Sequence, residues 1–254
     1  MAEQLLNQQH QQQRQQFIFD ADLLPTGKRS LSLIAGQAFL LGLILSLALL
    51  STLYLALHHY QIWRLPTFIS FLCTFHFLEF YTTAQYNTPA AKATSFLLYS
   101  NGWAWNAAHS CAMFETIVSS TFAPTWQTRF SPLILRFLAA VLVVVGQTLR
   151  STAMAQAGTN FNHIPAQRKE VGHVLVSEGV YALTRHPSYA GFFWWALGTQ
   201  LLVGNKFCFV AYAVVLWRFF DARIRGEEKN LVRFFGEAYV AYKQRTGTGI
   251  PLIK

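Results

Sequence analysis

The sequence predicts an all-α integral membrane protein with about six transmembrane helices, the last two of which form a C-terminal helical hairpin. Among 254 residues, 53% are hydrophobic and only 12% are charged, whereas an ordinary soluble domain has roughly 25% charged residues. The hydrophobic residues also lie in runs long enough to cross a bilayer, because a hydrocarbon core about 30 Å thick requires roughly 20 apolar residues per helix.

Four candidate spans come first along the chain, and three of them contain ionisable side chains. The spans are residues 31–57, 65–86, 93–120 and 132–157, and the ionisable side chains are His76, Glu79, His109, Glu115, Arg136 and Arg150. Ionisable residues are costly within a bilayer, which makes them functional candidates. The two histidines and two glutamates could instead pair with one another inside the helix bundle, and we expect this structural arrangement.

The last two candidate spans are short and adjacent. Residues 188–203 and 207–220 are separated by Gly204, Asn205 and Lys206, residue types that favour a turn. We therefore predict a tight helical hairpin, which returns the chain to the membrane face that it left.

A Gln-rich stretch, NQQHQQQRQQF, precedes the first span. No apolar run follows a basic start there, so the stretch does not resemble a cleavable signal peptide. We predict three parts: a mobile Gln-rich tail at residues 1–30, N-terminal transmembrane helices at residues 31–148, and a second membrane region at residues 149–254 that carries most of the polar residues.

The formal net charge of +9 reflects membrane topology rather than nucleic-acid binding. Aromatic residues lie in the apolar runs and not among the basic residues, which collect at span ends. If the N-terminus is cytosolic, sixteen of the twenty Lys and Arg residues face the cytosol, as the positive-inside rule requires. The exceptions are Arg64, Arg129, Arg136 and Lys206. We therefore predict that both termini are cytosolic.

Polar residues concentrate in two segments, residues 150–189 and 218–254, which flank the hairpin. Because a hairpin brings its ends together, both segments are expected at the cytosolic face, where they can build one site. Metal binding is not indicated, since His163, His173 and His186 are ten and thirteen residues apart and match no common zinc spacing. A Rossmann fold is not indicated either, because no GxGxxG follows a strand.

The first polar segment ends within VLVSEGVYALTRHPSYAG, residues 174–191. VLVSEGVY alternates apolar and small polar residues, which is typical of an extended segment or a tight turn with backbone amides free for a ligand. Pro187 suits the first turn of a helix, whose N-terminus attracts anionic groups. Arg185 and His186 could belong to such a site, or they could anchor the helix in the headgroup layer.

The string WRFFDARIRGEEKNLVRFFGEAYVAYKQRTGTGIPLI, residues 217–253, covers nearly all of the second polar segment. Apolar residues recur there at spacings of four, three and four, at Leu231, Phe235, Ala238 and Tyr242. This stripe predicts an interfacial helix and serves for packing. Arg223 and Glu227 stand at i and i+4 on one helix face. They could form a surface salt bridge, or they could offer a cation and an anion to a zwitterionic ligand.

Together these motifs resemble the isoprenylcysteine carboxyl methyltransferases. The resemblance rests on GTNFNHI, GHVLVSEGVY, RHPSYAGFFWWALGTQ and the second polar segment, in colinear order from about residue 149 to the C-terminus. It implies a multi-pass enzyme of the endoplasmic reticulum membrane with a cytosol-facing cofactor pocket in the region 149–254. Its cofactor would be S-adenosylmethionine, and its substrates would be proteins with a C-terminal prenylated cysteine, such as small GTPases after CaaX processing.

The resemblance also implies the residues of the site. Those that it assigns to the cofactor are Gln167, His173, Val174, Leu175, Val176, Tyr181, His186, Pro187, Ser188, Tyr189 and Glu227. It assigns Arg223 to the substrate and to catalysis, and Arg150 as a second catalytic arginine near the reacting groups. In strict register the family glutamine falls at Ala166, one position before Gln167.

The chemistry of methyl transfer to a carboxylate fits these residues. The nucleophile is already ionised at neutral pH, so no general base is required. A carboxylate and a sulfonium become a neutral ester and a neutral thioether, so a pocket poor in water at the membrane boundary favours the reaction. The prenyl chain should reach the site from the bilayer through a lateral opening between spans.

Three other functions stay open. A phospholipid N-methyltransferase would share the cofactor and the membrane, but the Arg223 cation would repel its ammonium substrate. Sterol reductases have a similar C-terminal signature and use NADPH, but they usually have more than six spans. A transporter or a non-catalytic lipid-binding protein could also carry such a polar cluster, although the sequence shows no inverted repeats.

Overall fold

The computed structural model describes residues 20–169 and 171–254, and its regular structure within these ranges is helical throughout. Residues 1–19, which carry the Gln-rich part of the predicted tail, lie outside the described residues. The helices are α1 (Leu31–Leu57), α2 (Arg64–Tyr86), α3 (Trp103–Phe122), α4 (Pro124–Phe130), α5 (Leu133–Ala157), α6 (Val180–Leu183), α7 (Pro187–Val203), α8 (Lys206–Phe235) and α9 (Glu237–Arg245). The all-α prediction is therefore confirmed.

Within residues 20–169 and 171–254, two stretches of helix are long and apolar enough to cross a membrane by length and composition alone. They cover Leu31–Leu57 and Leu133–Asn160. Ser30 caps α1 by accepting a hydrogen bond from the Leu33 amide, and most leucines of this helix are exposed, as lipid-facing side chains would be. The number of six spans stays a prediction.

The third candidate span is shorter than predicted. Residues 93–96 form a 3-10 turn that ends at Leu97, which has a left-handed φ of 57°. α3 begins only at Trp103, after Gly102 with a φ of 81°. Glycine adopts this conformation without steric cost. Ala93, Ser95, Phe96 and Leu97 are buried in this connection, so the apolar residues of the stretch pack within the connection and do not continue a helix.

α7 and α8 form the predicted hairpin. Gly204 ends α7 in the left-handed conformation, with a φ of 77°. Asn205 is buried in the turn. Its side-chain Nδ2 donates to the Ala112 carbonyl at 2.9 Å, and its Oδ1 accepts from Thr116 Oγ1 at 3.0 Å. The turn is therefore stabilised by α3 as well as by its own residue types.

α8 is longer than the predicted sixth span. It continues to Phe235 and contains 30 residues, which makes it about 45 Å long. Arg, Glu and Lys are good helix formers, so the charged residues after position 220 extend the apolar part without a break. The predicted interfacial helix is instead interrupted at Gly236, whose φ is 57°.

α5 and α7 cross at close range at a pair of glycines. A Cβ atom on Gly146 would lie 2.6 Å from the Gly191 carbonyl oxygen, and a Cβ atom on Gly191 would lie 2.6 Å from the Gly146 carbonyl oxygen. Small residues are what allow helix backbones to approach so closely. This crossing holds Arg150 of α5 beside Ser188 of α7.

The histidines and glutamates of α2 and α3 do not pair with one another, so that expectation is wrong. The observed atom pairs are His76 Nδ1 with the Phe96 carbonyl at 2.7 Å, His109 Nδ1 with the Trp105 carbonyl at 3.0 Å, and Glu115 with the Phe207 and Cys208 amides at 2.9 and 2.7 Å. The two histidines thus contact main-chain carbonyls, and Glu115 accepts from amides in the first turn of α8, which have no partner within that helix. Glu79 reaches across to α5 and belongs to the candidate site.

Candidate active site

The two polar segments meet in one cavity beside the start of α7. It contains about 700 Å³ of empty space, part of which is open to solvent. Its walls come from residues 157–162 and 173–176, the α6–α7 corner, the charged half of α8, and α9. The lining residues are Ala157, Asn160, Phe161, Asn162, His173, Val174, Leu175, Val176, Tyr181, Arg185, His186, Pro187, Ser188, Tyr189, Glu227, Leu231, Phe235, Tyr239 and Tyr242.

The cavity gathers every residue that the sequence assigned to the cofactor, with the exception of Gln167. Gln167 is exposed, and its main-chain carbonyl accepts a hydrogen bond from Arg233 Nη2 at 2.5 Å. Ala166 lines a smaller adjoining cavity, and its carbonyl accepts from Asn230 Nδ2 at 3.2 Å. Gln167 therefore lies outside the cavity lining, because α8 holds the main chain of this loop and leaves the glutamine side chain exposed. Its role at the cofactor stays a prediction.

Residues 173–176 form one wall without regular secondary structure. The Val174 amide donates to Asn160 Oδ1 at 2.9 Å, and the Val180 amide donates to Gln156 Oε1 at 2.8 Å after a turn at Gly179. Within the described part of the chain, the amides of residues 175 and 176 have no hydrogen-bond partner. Such groups require a partner when they are shielded from water, and a ligand in the cavity would supply one.

Arg185 and His186 join α7 to α8 and α9 instead of anchoring the helix in the headgroup layer. Arg185 is only 6% exposed; its Nε lies 2.5 Å from Glu228 Oε1, and its Nη1 donates to the Thr246 carbonyl at 2.6 Å. His186 Nε2 lies 3.2 Å from the same Glu228 oxygen, and Lys243 donates to the other. Burial alone would raise the pKa of Glu228, but these hydrogen bonds outweigh it and lower the pKa to about 2.

Glu227 and Arg223 occupy the two sides of one hydroxyl group. Tyr189 OH donates to Glu227 Oε2 at 2.6 Å and accepts from Arg223 Nε at 3.1 Å. Arg223 Nη2 also donates to the His163 carbonyl. Among the described residues, the two charged side chains therefore meet through the phenol and form no direct ion pair. This arrangement keeps a cation and an anion apart, which suits a ligand, or a pair of ligands, carrying both charges.

Arg150 lies behind the cavity wall. Its guanidinium pairs with both oxygens of Glu79, through Nε to Oε1 and through Nη2 to Oε2 at 2.7 Å. Its remaining nitrogen, Nη1, donates to Ser188 Oγ at 3.0 Å, and Ser188 lines the cavity. Arg150 thus reaches the cavity through the first turn of α7.

Known proteins resemble this chain in sequence and in structure. The sequence model that describes the isoprenylcysteine carboxyl methyltransferase family matches residues 138–233 of this chain. The protein-S-isoprenylcysteine O-methyltransferase of Saccharomyces cerevisiae is 48% identical over 189 residues, which cover 73% of this chain and 79% of the yeast protein. The chain belongs to this family.

Other members of the isoprenylcysteine carboxyl methyltransferase family agree. The Homo sapiens protein-S-isoprenylcysteine O-methyltransferase is 40% identical over 188 residues, which cover 72% of this chain and 63% of the human protein. A solved structure described as the eukaryotic intramembrane Ras methyltransferase superposes with a TM-score of 0.75 at 36% identity, covering 82% of this chain and 74% of that chain. The predicted resemblance and the membrane fold class are confirmed.

Several cavity residues of this methyltransferase were not assigned from the sequence. Asn160, Phe161 and Asn162 lie within GTNFNHI, a motif that pointed to the family without assigning their side chains. The apolar stripe was assigned to packing, yet three of its four members, Leu231, Phe235 and Tyr242, line the cavity, whereas Ala238 is exposed. The break at Gly236 turns the stripe around the cavity, and no periodicity in the sequence signals that.

Proposed function

We propose that this isoprenylcysteine carboxyl methyltransferase methylates the C-terminal carboxylate of a prenylated cysteine, with S-adenosylmethionine in the cavity beside α7. When bound, the cofactor supplies an activated methyl group on a cationic sulfur. Glu227 and the walls of the cavity would hold this cofactor, and Arg223 would orient the acceptor carboxylate toward the methyl group. The observation that carries the proposal is the Arg223–Tyr189–Glu227 arrangement, in which Tyr189 and Glu227 line the cavity and Arg223 donates to the Tyr189 hydroxyl.

The residues of the cavity fit this cofactor. Glu227 supplies a carboxylate for a cationic ligand. Phe235 and Tyr239 supply aromatic surface that can stack on a purine or lie against a sulfonium. Burial raises the pKa of Tyr239, so its hydroxyl stays protonated at neutral pH. The amides of residues 175 and 176 supply donors for polar atoms of the ligand.

Arg223 is the group best suited to orient the acceptor carboxylate. A guanidinium has five donors, and in Arg223 the hydrogen bonds to Tyr189 and His163 leave further donors for a carboxylate. Bidentate pairing fixes the direction of the attacking oxygen. The acceptor is ionised at neutral pH, so the chain needs no proton acceptor and has only to position the two reactants.

The membrane contributes to substrate delivery. Burying each CH₂ group of a prenyl chain is worth about 0.8 kcal/mol, so the chain should stay in the bilayer while its carboxylate reaches the cavity. We propose a multi-pass protein of the endoplasmic reticulum membrane with six spans, both termini in the cytosol and the cavity facing the cytosol. Small GTPases with farnesylated or geranylgeranylated C-termini would be its substrates.

The test is a transfer assay with purified full-length protein. The protein is incubated with methyl-labelled S-adenosylmethionine and N-acetyl-S-farnesylcysteine, and phosphatidylethanolamine serves as the control acceptor. We expect label in a base-labile methyl ester of the prenylcysteine and none in the phospholipid. Label in the phospholipid amine alone, or no base-labile product, would overturn the proposal.

A further inference from the structure

Glu79 is a buried carboxylate that contacts Arg150 and His163 but does not itself line the cavity. It lies on α2 and is only 1% exposed. This position precedes the region matched by the family model, residues 138–233, and it lies outside the motifs that carry the resemblance. Its two oxygens nevertheless receive three hydrogen bonds, two from Arg150 and one from His163 Nε2 at 2.9 Å.

We propose that Glu79 is a positioning residue of the methyl transfer, acting through Arg150 on the cavity wall at Ser188 and through His163 on Arg223. This inference rests on the proposed function. On one side, Glu79 fixes the Arg150 guanidinium, which donates to Ser188 at the cavity wall. On the other side, it fixes the His163 side chain, and the carbonyl of the same residue accepts from Arg223. One carboxylate thus orients both arginines.

The charge of Glu79 also limits what Arg150 does. A free buried guanidinium near the reacting groups would pair tightly with the acceptor carboxylate and would reduce its reactivity as a nucleophile. Glu79 already accepts hydrogen bonds from two of the Arg150 nitrogens, so the Arg150–Glu79 pair carries no net charge. Arg150 then supports the cavity wall through its hydrogen bond to Ser188 and does not act as a free cation. Arg223, which pairs with no carboxylate among the described residues, is then the cation that meets the acceptor.

A purely structural role for Glu79 predicts a different outcome. A buried ion pair contributes little net stability compared with apolar residues of similar volume, and a structural tie between α2 and α5 would affect cofactor and acceptor alike. A positioning role predicts a selective loss of turnover. A misplacement of about 1 Å in the reacting groups can lower the rate about 100-fold while binding is retained.

The experiment compares Glu79→Gln with Glu115→Gln in the full-length protein. Both residues are carboxylates in the N-terminal helices, but Glu115 caps the first amides of α8 and lies away from the cavity lining. For Glu79→Gln we expect kcat with N-acetyl-S-farnesylcysteine to fall about 10- to 100-fold, the acceptor KM to stay equal or fall, and S-adenosylhomocysteine affinity to change less than about threefold. Glu115→Gln should keep kcat within about twofold of the wild type.

A second variant keeps the inference testable if Glu79→Gln does not fold. His163 lies on a loop, its side chain is 25% exposed, and His163→Ala removes only one of the three hydrogen bonds to Glu79. This variant should lower kcat without raising KM. An unchanged kcat in both variants, or a higher KM at constant kcat, would overturn the positioning role. Absence of turnover in the wild-type protein would instead overturn the proposed function, so the two failures are distinct.

Discussion

The adjacent glutamates Glu227 and Glu228 should have separable roles, with Glu228 holding the fold together. Glu228 is only 4% exposed and binds Arg185, His186 and Lys243. Glutamine at this position keeps nearly the same shape, but it has no charge and its NH₂ group cannot accept a hydrogen bond. Glu228→Gln would therefore leave Arg185 buried without a counter-charge.

The expected loss of stability follows from this burial. Removing one partner of a buried ion pair costs about 3–5 kcal/mol. Each kcal/mol shifts the melting temperature of a chain of this size by about 2–4 °C, so Glu228→Gln should lower Tm by roughly 6–20 °C. The side chain of Lys243 is 43% exposed, so its ion pair adds little to this figure.

The matched control is Glu227→Gln, one position away on the same helix. Among the described residues, Glu227 has a single hydrogen bond, from Tyr189, so its loss should cost under about 1 kcal/mol in stability. Loss of its charge should weaken S-adenosylhomocysteine binding about tenfold or more. Thermal unfolding in detergent and calorimetric titration measure both quantities. Equal Tm shifts in the two variants, or a shift under about 2 °C for Glu228→Gln, would refute the reasoning.

Three further outcomes are expected. Because the pKa of Glu228 is lowered to about 2, its contribution is complete above about pH 4.5 and is lost as the pH falls toward 2, so the Tm gap between wild type and Glu228→Gln should narrow over that range. Gly191→Ala would place a Cβ 2.6 Å from the Gly146 carbonyl oxygen and should destabilise the protein by about 1–3 kcal/mol in thermal unfolding, whereas Gly42→Ala, with open space around it, should not destabilise it. Arg223→Ala should lower kcat/KM for the prenylcysteine about 100-fold and leave S-adenosylhomocysteine affinity nearly unchanged; undiminished turnover would contradict its role at the acceptor carboxylate.

The elements that the sequence predicted well are those governed by local rules. An uninterrupted apolar run determines α1, and Gly204 with Asn205 determines the hairpin turn. The prediction that two distant polar segments meet also followed from the hairpin alone, since a reversal of direction leaves both ends on one side. The cavity lining agrees with the assigned cofactor residues because these residues lie in motifs whose order along the chain is colinear with the family.

The features that the sequence did not reveal depend on contacts between distant elements. Nothing in the sequence of α2 indicates that Glu79 would bind Arg150 of α5 instead of a nearby histidine, because the rotation of α2 about its axis determines which neighbour the Glu79 side chain faces. The position of the Gln167 side chain outside the cavity depends on Arg233 and Asn230, which lie more than sixty positions away and bind the main-chain carbonyls of this loop. The turn of the stripe around the cavity likewise requires the positive φ of Gly236.

The charged groups at the site divide into two kinds, and this division fits the reaction. Arg185 with Glu228 and Arg150 with Glu79 are buried pairs that are already neutralised, whereas Arg223 and Glu227 are held apart by the Tyr189 hydroxyl. Methyl transfer removes one positive charge from the donor and one negative charge from the acceptor. The separated charges would therefore attract both reactants and lose much of that attraction once the products form, so the same two side chains that collect the substrates also favour release of the ester and the thioether.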